Sequence, residues 1–211
     1  MSLLIFGVLA YLIGSIPTAV WIGKSWYGID IREHGSKNAG ATNTFRILGK
    51  RAGVIVLVVD IVKGFIAVAL PLCFINFKLF NFLLLSDIDL IVVQIFTAIL
   101  AVLGHVFPIF AKFKGGKGVA TSLGVIIGIH PPAAGICFLL FLVVFIVFNY
   151  VSLGAIIASI SFPLVLFYLF KESSIWLISF SIALSTAVIL AHRKNIIRLI
   201  NGQENKMKLF K

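Results

Sequence analysis

Long apolar runs recur along the whole 211-residue chain and restrict the folds open to it. Hydrophobic residues make up 61% of the sequence, charged residues make up 12%, and the mean hydropathy is +1.14. A soluble globule of this length cannot hide that much apolar surface. The sequence therefore predicts an all-α polytopic membrane protein.

Seven of these runs are candidate transmembrane helices. They cover residues 3–22, 53–77, 90–111, 119–130, 133–149, 151–170 and 175–191. No positive residue precedes the first run, so it is interpreted as a retained membrane helix, kinked at Pro17, and not as a signal peptide. The fourth run is short, because 12 residues rise about 18 Å against a hydrocarbon core of about 30 Å.

The positions of the basic residues favour seven crossings over six. With seven, the loops 23–51 and 111–118 and the tail 192–211 share one side, which then carries 15 of the 18 Lys and Arg residues. The positive-inside rule makes that side cytosolic, with the N-terminus outside and the C-terminus inside. Six crossings would move the basic tail outside. On the opposite side, the amphipathic segment near 77–85 is predicted to form a short interfacial helix.

Three polar clusters lie on the predicted cytosolic side. The first cluster is residues 35–46, whose composition fits either a flexible loop or a binding loop. Arg46 is suited to bind a phosphate bidentately. The candidate binding residues of this cluster are Ser36, Asn38, Thr42, Asn43 and Arg46.

The second cluster is GHVFPIFAKFKGGKGVAT, residues 104–121. It lacks the spacing of a nucleotide-binding P-loop, since Gly118 follows Lys117 and Ala111 stands where the first glycine would be. Its glycines nevertheless favour a nest of backbone N–H groups for an anion, beside the N-terminus of the next helix. His105 is expected to brace this loop. The candidate residues here are His105, Lys114, Gly115, Gly116, Lys117 and Gly118.

The third cluster follows the last apolar run. His192 and Asn195 are three residues apart, so a continuing helix would place them on one face. Ser152, at the junction of two other runs, is either a helix cap or a site hydroxyl. Within the second run, Asp60 and Lys63 are expected to form a local ion pair.

These clusters resemble motifs of the bacterial acyl-phosphate:glycerol-3-phosphate acyltransferase family, PlsY. The matching segments are GSKNAGATNTFR (35–46), GHVFPIFAKFKGGKGVAT (104–121), HRKNIIRLINGQE (192–204) and YVS (150–152). The first departs from the common family form at Lys37 and Ala39. The resemblance covers essentially the whole chain and implies one integral-membrane acyltransferase domain over residues 1–211, in a bacterial cytoplasmic membrane with its site facing the cytosol.

The resemblance implies transfer of a fatty acyl group from acyl-phosphate to the 1-hydroxyl of glycerol 3-phosphate, without cofactor or metal. It implies that Ser36, Arg46, Lys114, His192 and Asn195 hold glycerol 3-phosphate and the reacting centre. Gly115, Gly116, Lys117, Gly118 and Ser152 would lie near the acyl-phosphate. His192 is the one nearby group with a suitable pKa for a general base, but it is expected to orient the substrate more than to abstract a proton.

Other classes of function fit the sequence less well. A transporter for a phosphorylated solute is the main alternative, but it should place basic residues near the membrane midplane on broken helices. A metal-dependent lipid transferase would need clustered carboxylates, and the seven acidic residues are scattered. The net charge of +11 suits anionic lipid and phosphorylated substrates, with no nucleic-acid motif present. Transient docking of the soluble enzyme that makes acyl-phosphate is left open.

Overall fold

The computed structural model describes residues 2–75 and 89–207, and all regular secondary structure in those ranges is helical. The predicted interfacial helix near 77–85 lies outside the described residues. The helices are α1 (Ser2–Gly14), α2 (Thr18–Tyr27), α3 (Ala41–Ile47), α4 (Lys50–Ile75), α5 (Leu90–Val106), α6 (Val119–Ile129), α7 (Pro131–Phe148), α8 (Val151–Leu164), α9 (Ile175–Ala191) and α10 (Arg193–Ile200). The prediction of an all-helical membrane protein is confirmed.

Five helical stretches in the described residues are long and apolar enough to cross a membrane. They are Leu3–Tyr27, Lys50–Cys73, Leu90–Ala111, Pro131–Phe148 and Val151–Leu169. A sixth span forms if α9 and α10, which meet at a bend of 61°, are taken together. The predicted fourth span is helix α6, which has only 11 residues. The count of seven crossings and the orientation of the termini stay predictions.

The first span, Leu3–Tyr27, is interrupted at Pro17, where the sequence predicted a kink. Helix α1 ends at Gly14 and α2 begins at Thr18, because proline has no N–H for the helical ladder and its ring clashes with the preceding turn. The break leaves the carbonyl of Ile16 available to a side chain, and the ammonium of Lys63 donates to it at 2.9 Å. The break therefore brings a charged group of α4 to the interrupted helix.

Helix packing divides the chain into two compact units, Met1–Ile129 and His130–Lys211. In the first unit, α4 packs against α1, α5 and α6. Gly64 of α4 lies against the carbonyl of Thr121, and Gly124 of α6 lies against the carbonyl of Ile61. A side chain at either glycine would meet that backbone, so small residues allow the close crossing, as is usual between membrane helices. This crossing fixes the start of α6, directly after the glycine-rich loop.

In the second unit, α8 packs against α7 and α9. Helix α7 begins with the ring of His130 accepting a hydrogen bond from the N–H of Ala133, and it ends at Asn149 in the left-handed conformation. Asparagine tolerates that conformation better than most residues. The sharp turn at Asn149 brings the chain directly into α8, where Ser152 is the second residue.

The predicted polar segments contain more regular structure than loops. Residues 23–51 include the end of α2, a single 3₁₀ turn at Ile31–Glu33 and the short helix α3. The tail 192–211 includes α10. Thr42, Asn43 and Arg46 are therefore held on α3 and Asn195 on α10, whereas Ser36 and Asn38 lie in the irregular chain before α3.

Candidate active site

The first polar segment is organised by the amide of Asn43. Its nitrogen donates to the carbonyls of Ile31 (3.1 Å) and His34 (3.0 Å), and its oxygen accepts from the backbone N–H of Ser36 (3.0 Å). Asn43 is only 1% exposed. In this structure the predicted binding amide is committed to the backbone around it, so its observed role is to shape the loop that carries Ser36.

The remaining predicted residues of that segment differ in exposure. Ser36 is exposed, whereas Asn38, Thr42 and Arg46 are half-buried. Arg46 lies in the last turn of α3, the helix that packs against α4. The segment is therefore a folded structure with partly accessible polar side chains, which disfavours the interpretation as a flexible connector.

The glycine-rich loop folds back onto the end of α5. The N–H of Gly115 donates to the carbonyl of Val106 (3.1 Å), and the N–H of Gly116 donates to the carbonyl of His105 (3.2 Å). The backbone carbonyl of His105 therefore helps to hold the loop, and the bracing role predicted for its side chain stays a prediction. These two amides are used inside the loop, so the expected anion nest does not extend to them in this structure. Gly118, with φ of +83°, turns the chain into α6.

Close contact explains why glycine stands at two of these positions. A Cβ on Gly116 would meet the ring nitrogen Nε2 of His105, and a Cβ on Gly115 would meet the carbonyl of His105. The carbonyl of Ala39, from the first polar segment, would lie 3.2 Å from the same Cβ on Gly116. The first and second polar clusters are therefore in contact at Gly116.

A buried ion pair and two further polar side chains lie beside this contact. The carboxylate of Asp60 is 2.8 Å from the ammonium of Lys63, which confirms the predicted ion pair, and 3.7 Å from Nδ1 of His105. The hydroxyl of Thr18 donates to the same carboxylate oxygen at 3.5 Å. Asp60, Lys63 and His105 are all less than 7% exposed. The sequence predicted the pair but not its link to His105.

A small cleft connects these charges to the loops. It is lined by the charged side chains of α4, by His105 of α5, by backbone of both polar clusters and by the chain from the break after α1 to Thr18 of α2. Of the predicted site residues, His105, Gly115 and Gly116 line it. Lys114 is exposed, and Lys117 is half-buried. The full lining is Ile16, Pro17, Thr18, Ala39, Asp60, Lys63, His105, Pro108, Gly115 and Gly116.

In the second unit, the carboxylate of Glu204 gathers three side chains. One oxygen accepts from the amide of Asn195 (2.7 Å) and from the hydroxyl of Ser152 (2.9 Å), and the other accepts from Nε of Arg198 (2.7 Å). Glu204 is 8% exposed. Burial alone would raise the pKa of Glu204, but the hydrogen bonds from Arg198, Asn195 and Ser152 outweigh it and hold the pKa below its usual value.

Two sequence interpretations in this unit are corrected. His192 and Asn195 do not share one continuous helix, because the chain bends by 61° where α9 gives way to α10, and His192 stands at that bend. Ser152 is not a helix cap, since Tyr150 holds that position and the Ser152 hydroxyl donates to Glu204. Glu204, the one acid in a strongly basic tail, was not among the predicted site residues, although it bonds two of them.

The ring of His192 is oriented by the helix that precedes it. Its Nδ1 lies 2.8 Å from the carbonyl of Val188, and the side chain is 3% exposed. A carbonyl only accepts, so Nδ1 carries a proton, and in the neutral ring Nε2 is the acceptor nitrogen. This tautomer is compatible with a role as base or as hydrogen-bond acceptor.

No three His, Cys, Asp or Glu side chains within residues 2–75 and 89–207 are grouped as metal ligands. The fold is that of a helical membrane protein, and polar side chains lie at the ends of its helices. A buried ion pair lies beside a basic glycine-rich loop. These features define the class as an integral-membrane protein with a polar site.

Comparisons with known proteins specify this class. Residues 4–202 match the family described as glycerol-3-phosphate acyltransferase. The glycerol-3-phosphate acyltransferase of Fusobacterium nucleatum is 44% identical over 208 residues, covering 99% of this chain and 100% of the relative. That of Chlorobaculum tepidum is 42% identical over 220 residues, covering 95% and 94%.

Solved structures agree with the sequence comparison. The crystal structure of PlsY (YgiH), an integral membrane glycerol 3-phosphate acyltransferase, in its glycerol 3-phosphate form has a TM-score of 0.85 and 39% identity, over 99% of this chain and 96% of that one. Its lysophosphatidic acid form has a TM-score of 0.81 and 38% identity, over 99% and 96%. This chain belongs to the glycerol-3-phosphate acyltransferase family, and the resemblance seen in its motifs is confirmed.

Proposed function

We propose that this protein transfers a fatty acyl group from acyl-phosphate to the 1-hydroxyl of glycerol 3-phosphate. The products are lysophosphatidic acid and inorganic phosphate, in the first acylation step of phospholipid synthesis. The observation that carries the proposal is the family match over residues 4–202, which includes every predicted site residue. The structures of the relative in glycerol 3-phosphate and lysophosphatidic acid forms support the acceptor and the product.

The proposed chemistry needs positioning and charge stabilisation more than a cofactor. The hydroxyl oxygen attacks the acyl carbonyl carbon, the bond from that carbon to the phosphate oxygen breaks, and phosphate leaves with the electron pair. Acyl-phosphate is a mixed anhydride and is already activated. Holding both substrates in attack geometry and stabilising the negative charge are therefore the protein's contributions.

The predicted site residues are assigned to the two substrates in this proposal. Arg46 and Lys114 supply positive charge for phosphate, and Ser36, His192 and Asn195 hold glycerol 3-phosphate and the reacting centre. Gly115, Gly116, Lys117, Gly118 and Ser152 serve the acyl-phosphate, while Asn38, Thr42, Asn43 and His105 support binding. The burial of Asn195 and its bond to Glu204 support a fixed position for that amide. A substrate phosphate oxygen takes the hydroxyl proton, and His192 orients the substrate.

We also propose the topology that places this chemistry at the cytosolic face. The chain forms one domain over residues 1–211 with seven crossings, an outer N-terminus and a cytosolic C-terminus, in the inner membrane of a bacterium. The concentration of basic residues in 23–51, 111–118 and 192–211 supports it. The same basic surface supports transient docking of the soluble enzyme that makes acyl-phosphate.

The transporter alternative receives no support from the named relatives.

Purified protein in lipid tests the reaction directly. Given palmitoyl-phosphate and glycerol 3-phosphate, without added metal or nucleotide, it should release lysophosphatidic acid and one equivalent of phosphate. Product formed only from acyl-CoA would contradict the proposed donor, and uptake of glycerol 3-phosphate into sealed vesicles without acylation would favour the transporter.

A further inference from the structure

The guanidinium of Arg32 connects the first polar segment to the turn before the glycine-rich loop. Its Nη1 donates to the carbonyl of Ala111 at 2.7 Å and lies 3.5 Å from the carbonyl of Lys114. Its Nε and Nη2 bond both oxygens of Asp30, at 2.9 and 2.6 Å. One side chain therefore links a carboxylate of its own segment to both ends of the four-residue turn 111–114.

That turn has an unfavourable backbone for its sequence. The N–H of Lys114 donates to the carbonyl of Ala111 at 3.2 Å, which closes the turn, and the two central residues have positive φ: +55° at Lys112 and +57° at Phe113. Positive φ at both central positions is typical of turns built from Asn-Gly, because other L-residues adopt it at a cost. Neither Lys nor Phe relieves that cost, so neighbouring contacts must hold the turn.

The contacts of Arg32 are positioned to hold this turn in its conformation. Both carbonyls that it approaches flank the two strained residues, and the guanidinium is fixed from behind by Asp30. Arg32 is largely buried, with 19% of its side chain exposed, and Asp30 has 13% exposed. Hydrogen bonds from Arg32 hold the pKa of Asp30 well below its usual range, so the pair stays ionised at neutral pH.

We propose that Arg32 is a positioning residue for acyl transfer: it holds the 111–114 turn in its left-handed form and thereby sets the position of Lys114. The inference rests on the proposed function, in which Lys114 contributes positive charge for a substrate phosphate. Arg32 itself donates to protein groups and is not assigned a contact with substrate. A lysine cannot replace it, because one ammonium cannot bond a carboxylate in a fork and also reach the carbonyl of Ala111.

The effect of Arg32 is separated from substrate binding by steady-state kinetics. Arg32→Ala should lower kcat by about 100-fold, the size expected when a reacting group is misplaced by about 1 Å. Arg32→Lys should also lower kcat, and the KM for glycerol 3-phosphate should change much less than kcat in both. A rise in KM with kcat unchanged would overturn the proposal, since the loss would then be confined to substrate binding and would not affect the transfer step. The unsubstituted protein, assayed in parallel, tests the proposed function separately.

Restoring the turn by sequence provides the decisive comparison. In the Arg32→Ala protein, the double change Lys112→Asn, Phe113→Gly should recover kcat by roughly tenfold, because Asn-Gly adopts the turn without strain. The matched change Lys112→Ala, Phe113→Ala removes the same side chains and should recover nothing. Equal activity of the two double variants would overturn the proposal.

A second comparison applies if Arg32→Ala does not fold, which thermal unfolding in detergent will show. With Arg32 intact, Lys112→Val should lower kcat relative to Lys112→Gly, because a β-branched residue resists positive φ and Lys112 is exposed, so the substitution removes no buried packing. Equal kcat for Val and Gly at this position would contradict the role of the turn.

Discussion

The carboxylate of Glu204 accepts a hydrogen bond from the amide of Asn195 at 2.7 Å, which ties the end of the described tail to the first turn of α10. The same oxygen accepts from Ser152, which is 52 residues earlier in the chain. Two predicted site residues are thus held by a third group that carries no predicted contact with substrate. Glu204 is the centre of this arrangement because its two oxygens together accept from Ser152, Asn195 and Arg198.

Replacing Glu204 with glutamine should lower both stability and activity. The amide nitrogen of the glutamine would face a donor, either Nε of Arg198 or the Asn195 and Ser152 pair, and two donors cannot bond each other. Losing a hydrogen bond to a charged group costs about 1.5–3 kcal/mol of folding free energy. Thermal unfolding in detergent and kcat for acyl transfer measure the two effects. Glu33→Gln is a suitable control because Glu33 is exposed. Wild-type stability for Glu204→Gln would show that the carboxylate charge is unnecessary.

The pH dependence of stability should reflect the ionisation of Glu204. The pKa of Glu204 in the folded protein is below its ordinary value of 4.5, so its contribution is complete above that pH and is lost as the pH falls through the folded pKa. The melting temperature of the wild type should therefore fall below pH 4.5 more steeply than that of Glu204→Gln. Parallel curves for the two proteins would contradict the assigned hydrogen bonds.

Gly116 should not tolerate a methyl group. A Cβ at this position would meet Nε2 of His105, a ring that is itself packed beside Asp60, so the loop or the ring must shift. Gly116→Ala should reduce kcat/KM by about 100-fold, as for other small displacements near a reacting centre. Gly135→Ala is the matched control, because a Cβ there meets nothing within 4 Å. Similar activity of the two variants would show that the contact is of no consequence.

Features that depend on local sequence were predicted, whereas contacts between distant segments were missed. The apolar runs predicted most of the long helices, and α9 begins and ends where it was expected, at 175 and 191, whereas the short helix α3 was not predicted. Spacing within one helix predicted the Asp60–Lys63 pair. Contacts between distant segments, such as Arg32 with Ala111 or Ser152 with Glu204, depend on tertiary packing, and no local pattern specifies them. The assumption of a continuing helix failed at His192 because helical spacing applies only while the helix continues.

The buried pair of Asp60 and Lys63 should show strong coupling in a double-mutant cycle. Removing one partner leaves the other buried without its counter-charge, and such a loss typically costs about 3–5 kcal/mol. Asp60→Asn and Lys63→Met should each destabilise the protein, whereas the double variant should be destabilised by less than the sum. Unfolding in mixed micelles measures the three free energies. Additive losses would show that the two side chains do not interact, despite the 2.8 Å separation.

His192 should contribute to substrate orientation more than to proton abstraction. Its Nδ1 proton is directed at the carbonyl of Val188, which fixes the ring at the bend between α9 and α10. In the proposed reaction a phosphate oxygen of a substrate accepts the hydroxyl proton, so a neutral amide at this position should preserve part of the orienting role. His192→Gln should therefore retain measurable turnover with the pH profile of kcat unshifted, while His192→Ala should lose more. A general base would instead produce a loss of about 10²–10⁴-fold in both variants and would remove the acidic limb of the pH profile.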